Sequence, residues 1–196
     1  LTPELWQNQT NGDDFYNRNT KVYDTEWGYF QFVWNMKDPR FADKRVRWAM
    51  AYAFDHEEML KTLLFGLCEP ATGNFHPTSR WAPEMAPAPI KQDLDKAEDL
   101  LDEAGWVDSN NDGIRDKMID GKRVDFRFTI ITSYFPLRID ICNLLKQSLE
   151  QIGVRCEVSS LEFTSLIEKM SSKKDFQAAF GGWGAGTDPD TSENIF

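Results

Sequence analysis

The chain has 196 residues, of which 41% are hydrophobic and 28% charged. That is enough for one sizeable domain with its own core, and it excludes global disorder. The formal net charge is −10 with a pI near 4.7, and the densest basic run, Lys44-Arg45-Val46-Arg47, is too short to offset that field, so a nucleic-acid partner is not expected.

No apolar run reaches the roughly 18 residues that a membrane-spanning helix needs, and no secretory signal pattern is visible. The opening Leu1-Thr2-Pro3 and the closing Ile195-Phe196 read as cut ends of a longer protein. A short helix is expected over Pro3–Gln9. Tyr29-Phe30-Gln31-Phe32-Val33-Trp34 then reads as a buried, aromatic strand, and 35–42 turns the chain through Asp38-Pro39. Asp43 is placed to cap a helix with Val46, Ala49, Met50 and Ala53 on one face. Asp55-His56-Glu57-Glu58 has the form of a capping box, and the helix behind it carries Met59, Leu60, Leu63 and Leu64 and ends at Gly66.

Residues 67–92 form a long proline-rich loop, a length that usually goes with function or a surface wrap. Asp93 caps a helix bearing Leu94, Ala97, Leu100, Leu101 and Ala104, closed by Gly105. An acidic loop at 108–121 precedes an alternating strand over 124–132. Pro136 suits the first turn of a long helix that runs through Ile141, Leu144, Leu145 and Leu149 to Gly153. A strand over 154–159 follows, and then a helix over 163–173 with Leu166, Ile167 and Met170 on its apolar face. Ala178–Trp183 reads as a last buried strand, opening into Gly184-Ala185-Gly186-Thr187-Asp188-Pro189-Asp190. The second half alternates strand and helix, which favours an α/β fold. All of 1–196 is expected to form one domain.

Cys68, Cys142 and Cys156 are odd in number, so they cannot all pair within the chain. They read as small buried apolar residues, with a Cys142–Cys156 bridge left open. His56 reads as structural, and His76 has no neighbouring Cys or His at metal-ligand spacing.

Six segments together resemble the peptide/nickel type of ABC-transporter solute-binding proteins, family 5. They are Phe32-Val33-Trp34-Asn35 with Asp43-Lys44-Arg45-Val46-Arg47-Trp48-Ala49; Ala53-Phe54-Asp55; Gly66 to Gly73; Asp95-Lys96-Ala97 with Leu100 to Trp106; Ile152-Gly153-Val154; and Gly182-Trp183 ahead of Asp188-Pro189-Asp190. The resemblance covers about 27–196. It implies a type II periplasmic-binding-protein lobe, a mixed sheet flanked by helices, most of the C-terminal lobe of a two-lobed protein. It also implies a monomer that captures a peptide or similar small solute and docks on an ABC permease. The setting would be periplasmic or extracellular, with anchoring through a missing N-terminal part.

In such a lobe the ligand loops would be 73–81, 132–136 and 183–190, at strand ends where α/β sheets bind ligands. Trp183 would supply a flat wall, Gly184 and Gly186 would let backbone approach, and Asp188 or Asp190 would hold a cationic group. The alternative is a glycine-rich turn with the two Asp residues as caps. Tyr134 and Phe135 either stack on ligand or plug the core, and Trp81 either packs or lines the cleft. Where dipeptide-type members carry an Asp three residues after the loop Trp, this chain has Gly186. The Thr132-Ser133-Tyr134-Phe135 loop has no base, and Arg138, one turn into the helix, is expected to fall short of it. Strict dipeptide specificity is therefore not expected, and longer peptides, sugars or other solutes stay open.

Asp108-Ser109-Asn110-Asn111-Asp112-Gly113-Ile114-Arg115-Asp116 follows a calcium-loop pattern, with ligands at Asp108, Asn110, Asp112, Ile114 (through its carbonyl) and Asp116. Position twelve is Ile119 where a bidentate Glu belongs, which favours a metal-free Asx-rich turn. The loop thus leaves two readings, a structural calcium or no cofactor, and it is the sole basis for a calcium-dependent scaffold as an alternative function. A hydrolase is the other alternative. Neither a Gly-x-Ser-x-Gly elbow nor a His-Glu-x-x-His motif is present, and the expectation is that the protein is not an enzyme.

Overall fold

The aromatic run forms β1 (Gly28–Trp34), an edge of a four-stranded sheet in the order β1-β6-β4-β5. The others are β4 (Arg127–Ser133), β5 (Arg155–Leu161) and β6 (Ala178–Gly184). β4 runs parallel to β5, in register from Arg127↔Arg155 to Ser133↔Leu161, and parallel to β6 through Ile130↔Ala178. β1 runs against β6: the Asn35 N–H, just past its end, donates to Gln177 O (2.9 Å), just before β6 begins. The sheet is therefore mixed, as expected.

The computed structural model describes residues 2–23, 28–71, 73, 75, 80–82, 84, 85 and 87–184. The chain divides into two units, one of Gln31–His56 with Ile90–Gly181, the other of Leu1–Phe30, Glu57–Pro89 and Gly182–Phe196.

In the first unit α3 (Lys44–Ala53), α5 (Leu94–Glu103) and α6 (Pro136–Gln151) form one helical layer, in which α3 packs on α5 and α6, and α6 on β4 and β5. α7 (Phe163–Ile167), continued by wide π-type turns over Glu168–Lys173, packs on β4. Alternate residues of each strand serve different cores. Ile131 and Ala179 pack with Leu166 of α7. An aromatic cluster of Phe32, Trp34, Phe41, Phe126, Phe128 and Phe180 forms the other core, with ring centroids 4.7–6.1 Å apart. Phe41, from a segment read only as a turn, is fully buried there.

The caps are as the sequence predicts. Asp93 accepts from Lys96 N–H (2.9 Å) and Asp43 from Arg45 N–H (2.9 Å). The Arg45 guanidinium also grips the Asp43 carboxylate (2.6 Å), and those side-chain hydrogen bonds are the main reason its pKa falls from 3.8 to about 2. The folded state holds this proton more weakly than the unfolded chain, so the stabilisation is complete above pH 4 and is lost as the pH falls through about 2. Both side chains are partly exposed, so solvent screens the pair and keeps its worth small. The Tm gap between wild type and Asp43→Asn is expected to be full at pH 5 and to close by pH 2; a gap that persists at pH 2 contradicts the assignment.

Between α5 and β4 the structure departs from expectation. β2 (Asp116–Ile119) and β3 (Lys122–Asp125) form an antiparallel hairpin where a loop and a single strand were expected. Asp120 (φ 49°) and Gly121 (φ 76°) make the two-residue turn, and the left-handed backbone at both matches what such a hairpin requires. Cys142 and Cys156 are buried free thiols, their pKa values pushed up to about 12 mainly by burial. Cys68 is exposed, contrary to the expectation of a buried apolar role.

The second unit holds α1 (Pro3–Gln9), capped by Thr2 Oγ1 accepting from Leu5 N–H (3.3 Å), and α2 (Asp13–Tyr16). The Lys21 ammonium lies over the rings of Trp6 (5.0 Å) and Tyr23 (5.6 Å). α4 (His56–Glu58) starts at the boundary of the units and widens into a π-type turn over Met59–Leu63, ended by left-handed Phe65 and Gly66. Among the described residues no helix is long and apolar enough to cross a membrane.

Candidate functional site

In a parallel arrangement every chain leaves the sheet at the same edge, and side chains just past the strand ends gather there. β4 and β5 end in register at Ser133 and Leu161. Thr132 is fully buried and its hydroxyl donates to Phe180 O (3.0 Å), which ties β4 to β6 just before the turn. Ser133 O accepts from Phe135 N–H (2.7 Å), closing a tight turn. The turn throws Tyr134 (67% exposed) and Phe135 (61%) into solvent, so neither plugs the core.

Arg138 corrects an expectation. Its guanidinium folds back along α6, Nη1 donating to Ser133 Oγ (2.9 Å), and lies 5.9 Å from the Phe135 ring centroid. A long arginine side chain one turn into a helix points back toward the N-terminus, so it reaches the preceding loop. The strand–helix loop therefore does hold a base, set beside the Phe135 ring.

Phe163 was missed by sequence reasoning. It opens α7 directly after Glu162, whose carboxylate accepts from Ser165 N–H (3.1 Å), and it is 60% exposed. The signal was available: β5 ends two residues before Phe163, as β4 ends two residues before Phe135. Ile167, assigned to the buried face, is 41% exposed, while Leu166 alone on that turn is fully buried.

The remaining candidates belong to the other unit. Trp81 is 44% exposed with the Arg80 guanidinium 4.6 Å above its ring, so it is not a packed core residue. Trp183 is half-buried near the end of β6 and Gly184 is exposed. Gly186, Asp188, Asp190 and His76 lie outside the described residues. A shallow open groove in the same unit is lined by Gln7, Leu60, Lys61, Phe65 and Cys68.

The acidic loop does not assemble a calcium cage. Asp108 spends its oxygens on Asp112 N–H (3.1 Å) and Gly113 N–H (2.9 Å), and Asp112 accepts from Ile114 N–H (2.9 Å) and the Asn110 amide (2.9 Å). Both Asp116 oxygens are taken by Ser109, and Ile114 is buried. The Asn110 amide and the Ile114 N–H together lower the Asp112 pKa. These are the hydrogen bonds of an Asx-turn loop. Among the described residues no three His, Cys, Asp or Glu side chains gather to hold a metal. A structural calcium on Asp108, Asn110, Asp112, Ile114 and Asp116 thus finds no support here, and the hydrogen bonds within the loop suit the metal-free turn. Burial is the chief cause that lowers the His56 pKa, and the ring sits edge-on to Phe54 at 4.7 Å.

The family model of the bacterial extracellular solute-binding proteins, family 5 (middle), matches residues 2–195. Oligopeptide-binding protein AppA of Bacillus subtilis is 35% identical over 178 residues, 89% of this chain and 32% of that protein. The structure of AppA in complex with a nonapeptide matches with a TM-score of 0.84 at 32% identity, covering 97% of this chain and 37% of that one. NikZ from Campylobacter jejuni in complex with Ni(L-His) matches with a TM-score of 0.76 at 30% identity, covering 97% of this chain and 36% of that one. The chain spans about a third or less of the length of the curated relatives it matches.

Proposed function

The chain belongs to the bacterial extracellular solute-binding proteins of family 5, and on that premise we propose that it is part of the binding component of an ABC importer that captures peptides. Residues 1–196 form most of the C-terminal lobe of a two-lobed protein, and the ligand loops are 73–81, 132–136 and 183–190. The whole protein works as a monomer outside the cytoplasmic membrane, closes on its solute by hinge motion, and delivers it to a membrane permease. It is not an enzyme.

The observation that carries this reading is the rim at the end of the parallel strands. Tyr134, Phe135 and Phe163 are each at least 60% exposed, and Arg138 stands over Phe135. Exposed aromatics beside a fixed cation suit an extended solute that offers apolar side chains and a carboxylate. In the other unit, Trp183 and Trp81 are the residues proposed to meet the solute. The similarity to peptide-bound AppA supports peptides as the solute.

Native mass spectrometry of the full-length protein from its own host tests this. A ladder of peptide masses is the expected result. A single metal–histidine or sugar-like mass would keep the transport role and overturn the peptide assignment. With a peptide in hand, Phe135→Ala and Phe163→Ala are each expected to weaken binding about five- to tenfold, the worth of one aromatic contact. Unchanged affinity in both variants would remove the rim from the site.

A further inference from the structure

We propose that Phe30 is a positioning residue for Trp183, fixing the direction in which that indole leaves β6; the inference rests on the reading of Trp183 as a ligand wall. The segment around Trp183 has little stiffness of its own, since Gly181, Gly182 and Gly184 surround it and glycine backbone is the most permissive. Something outside the strand must hold it.

Besides the ladder hydrogen bonds that β6 makes with β1, the Phe30 ring does so. A Cβ built on Gly182 would stand 2.6 Å from Phe30 Cε1, 2.9 Å from Cδ1 and 3.1 Å from Cζ. Carbon atoms do not approach so closely, so the ring occupies the volume a side chain at 182 would fill. Phe30 is 59% exposed, so burial in a core does not account for its place. An aromatic ring lying across a glycine of the neighbouring strand is a recognised way of covering bare backbone and pinning register. Side chains alternate along a strand, so Trp183 leaves on the face opposite the one the ring covers. The contact therefore clamps the backbone from behind the indole, and Gly182 must lack a side chain for it to form.

The test is a double-substitution cycle in the full-length binding protein, with a synthetic nonapeptide mixture of randomised interior positions as probe. Gly182→Ala is expected to weaken binding about tenfold and Phe30→Ala three- to fivefold, while Phe30→Tyr, which keeps the ring, binds like wild type. The double variant Phe30→Ala/Gly182→Ala is expected to bind no more weakly than Phe30→Ala alone, because the new methyl then meets empty space. The Tm should move little throughout, which separates positioning from general stability. Wild-type affinity in Gly182→Ala, or losses that multiply in the double variant, would overturn the positioning role. If Gly182→Ala fails to fold, the comparison of Phe30→Ala with Phe30→Tyr decides: equal affinities overturn the role. Wild-type protein that takes up none of the mixture defeats the functional reading and this inference with it.

Discussion

Phe41→Ala is expected to destabilise the protein by about 3–5 kcal/mol, the usual range for deleting a buried ring. For a chain of this size that is a fall in Tm of roughly 10–15 °C. Phe41 is fully buried and meets Trp34 (5.0 Å), Phe128 (5.0 Å) and Phe126 (6.1 Å). Its ring joins the edge strand β1 to β4 across one face of the sheet. Two independent anchors keep its backbone in place once the ring is gone, the Phe41 N–H donating to Asp38 O (3.0 Å) and Arg47 Nη1 donating to Phe41 O (2.7 Å). The surroundings can therefore collapse only in part, and a cavity remains. Phe41→Leu keeps much of the volume and should cost less than half as much. Thermal unfolding of the two variants checks this, and a Tm change below about 3 °C for Phe41→Ala would mean that the aromatic cluster does not hold this face together.

Phe41 also shows where the sequence stops being informative. Periodicity identifies residues that line a regular element, and it served well for Val46, Ala49, Met50 and Ala53, all buried, and for the caps Asp43 and Asp93. It is silent on a loop residue, whose side-chain direction depends on turns that no spacing encodes. The β2–β3 hairpin was legible in Asp120-Gly121 but was absorbed into the surrounding run of acidic residues, since charge pattern and turn chemistry compete for the same letters. Arg138 was discounted because helical position was counted without the backward tilt of helical side chains. Phe163 and Ile167 follow from where β5 stops, and that is a property of pairing with β4, not of residues 155–167 alone.

Arg115→Ala should cost about 2–4 kcal/mol, although the ion pairs that Arg115 makes are worth little. Its side chain is 11% exposed, whereas those of Glu98 and Asp102 are 45% and 57% exposed. Solvent and salt screen both carboxylates, so the charge pairing adds little. The larger effect lies with two carbonyls. Nε donates to Ile152 O (2.7 Å) at the end of α6, and Nη1 donates to Trp106 O (2.7 Å) just past α5. Helix ends leave carbonyls without intrahelical partners, and here one planar guanidinium satisfies both ends and joins the two helices to the strand that follows the acidic loop. Truncation leaves two acceptors unpaired at a site too enclosed for easy hydration. Arg115→Lys can reach one carbonyl and should recover roughly half of the loss, while Asp102→Asn should cost no more than about 0.5 kcal/mol. Urea unfolding of the three variants separates the explanations. If Asp102→Asn proved as damaging as Arg115→Ala, or if 0.5 M salt erased the difference between wild type and Arg115→Ala, the ion pair and not the shared helix cap would be what Arg115 contributes.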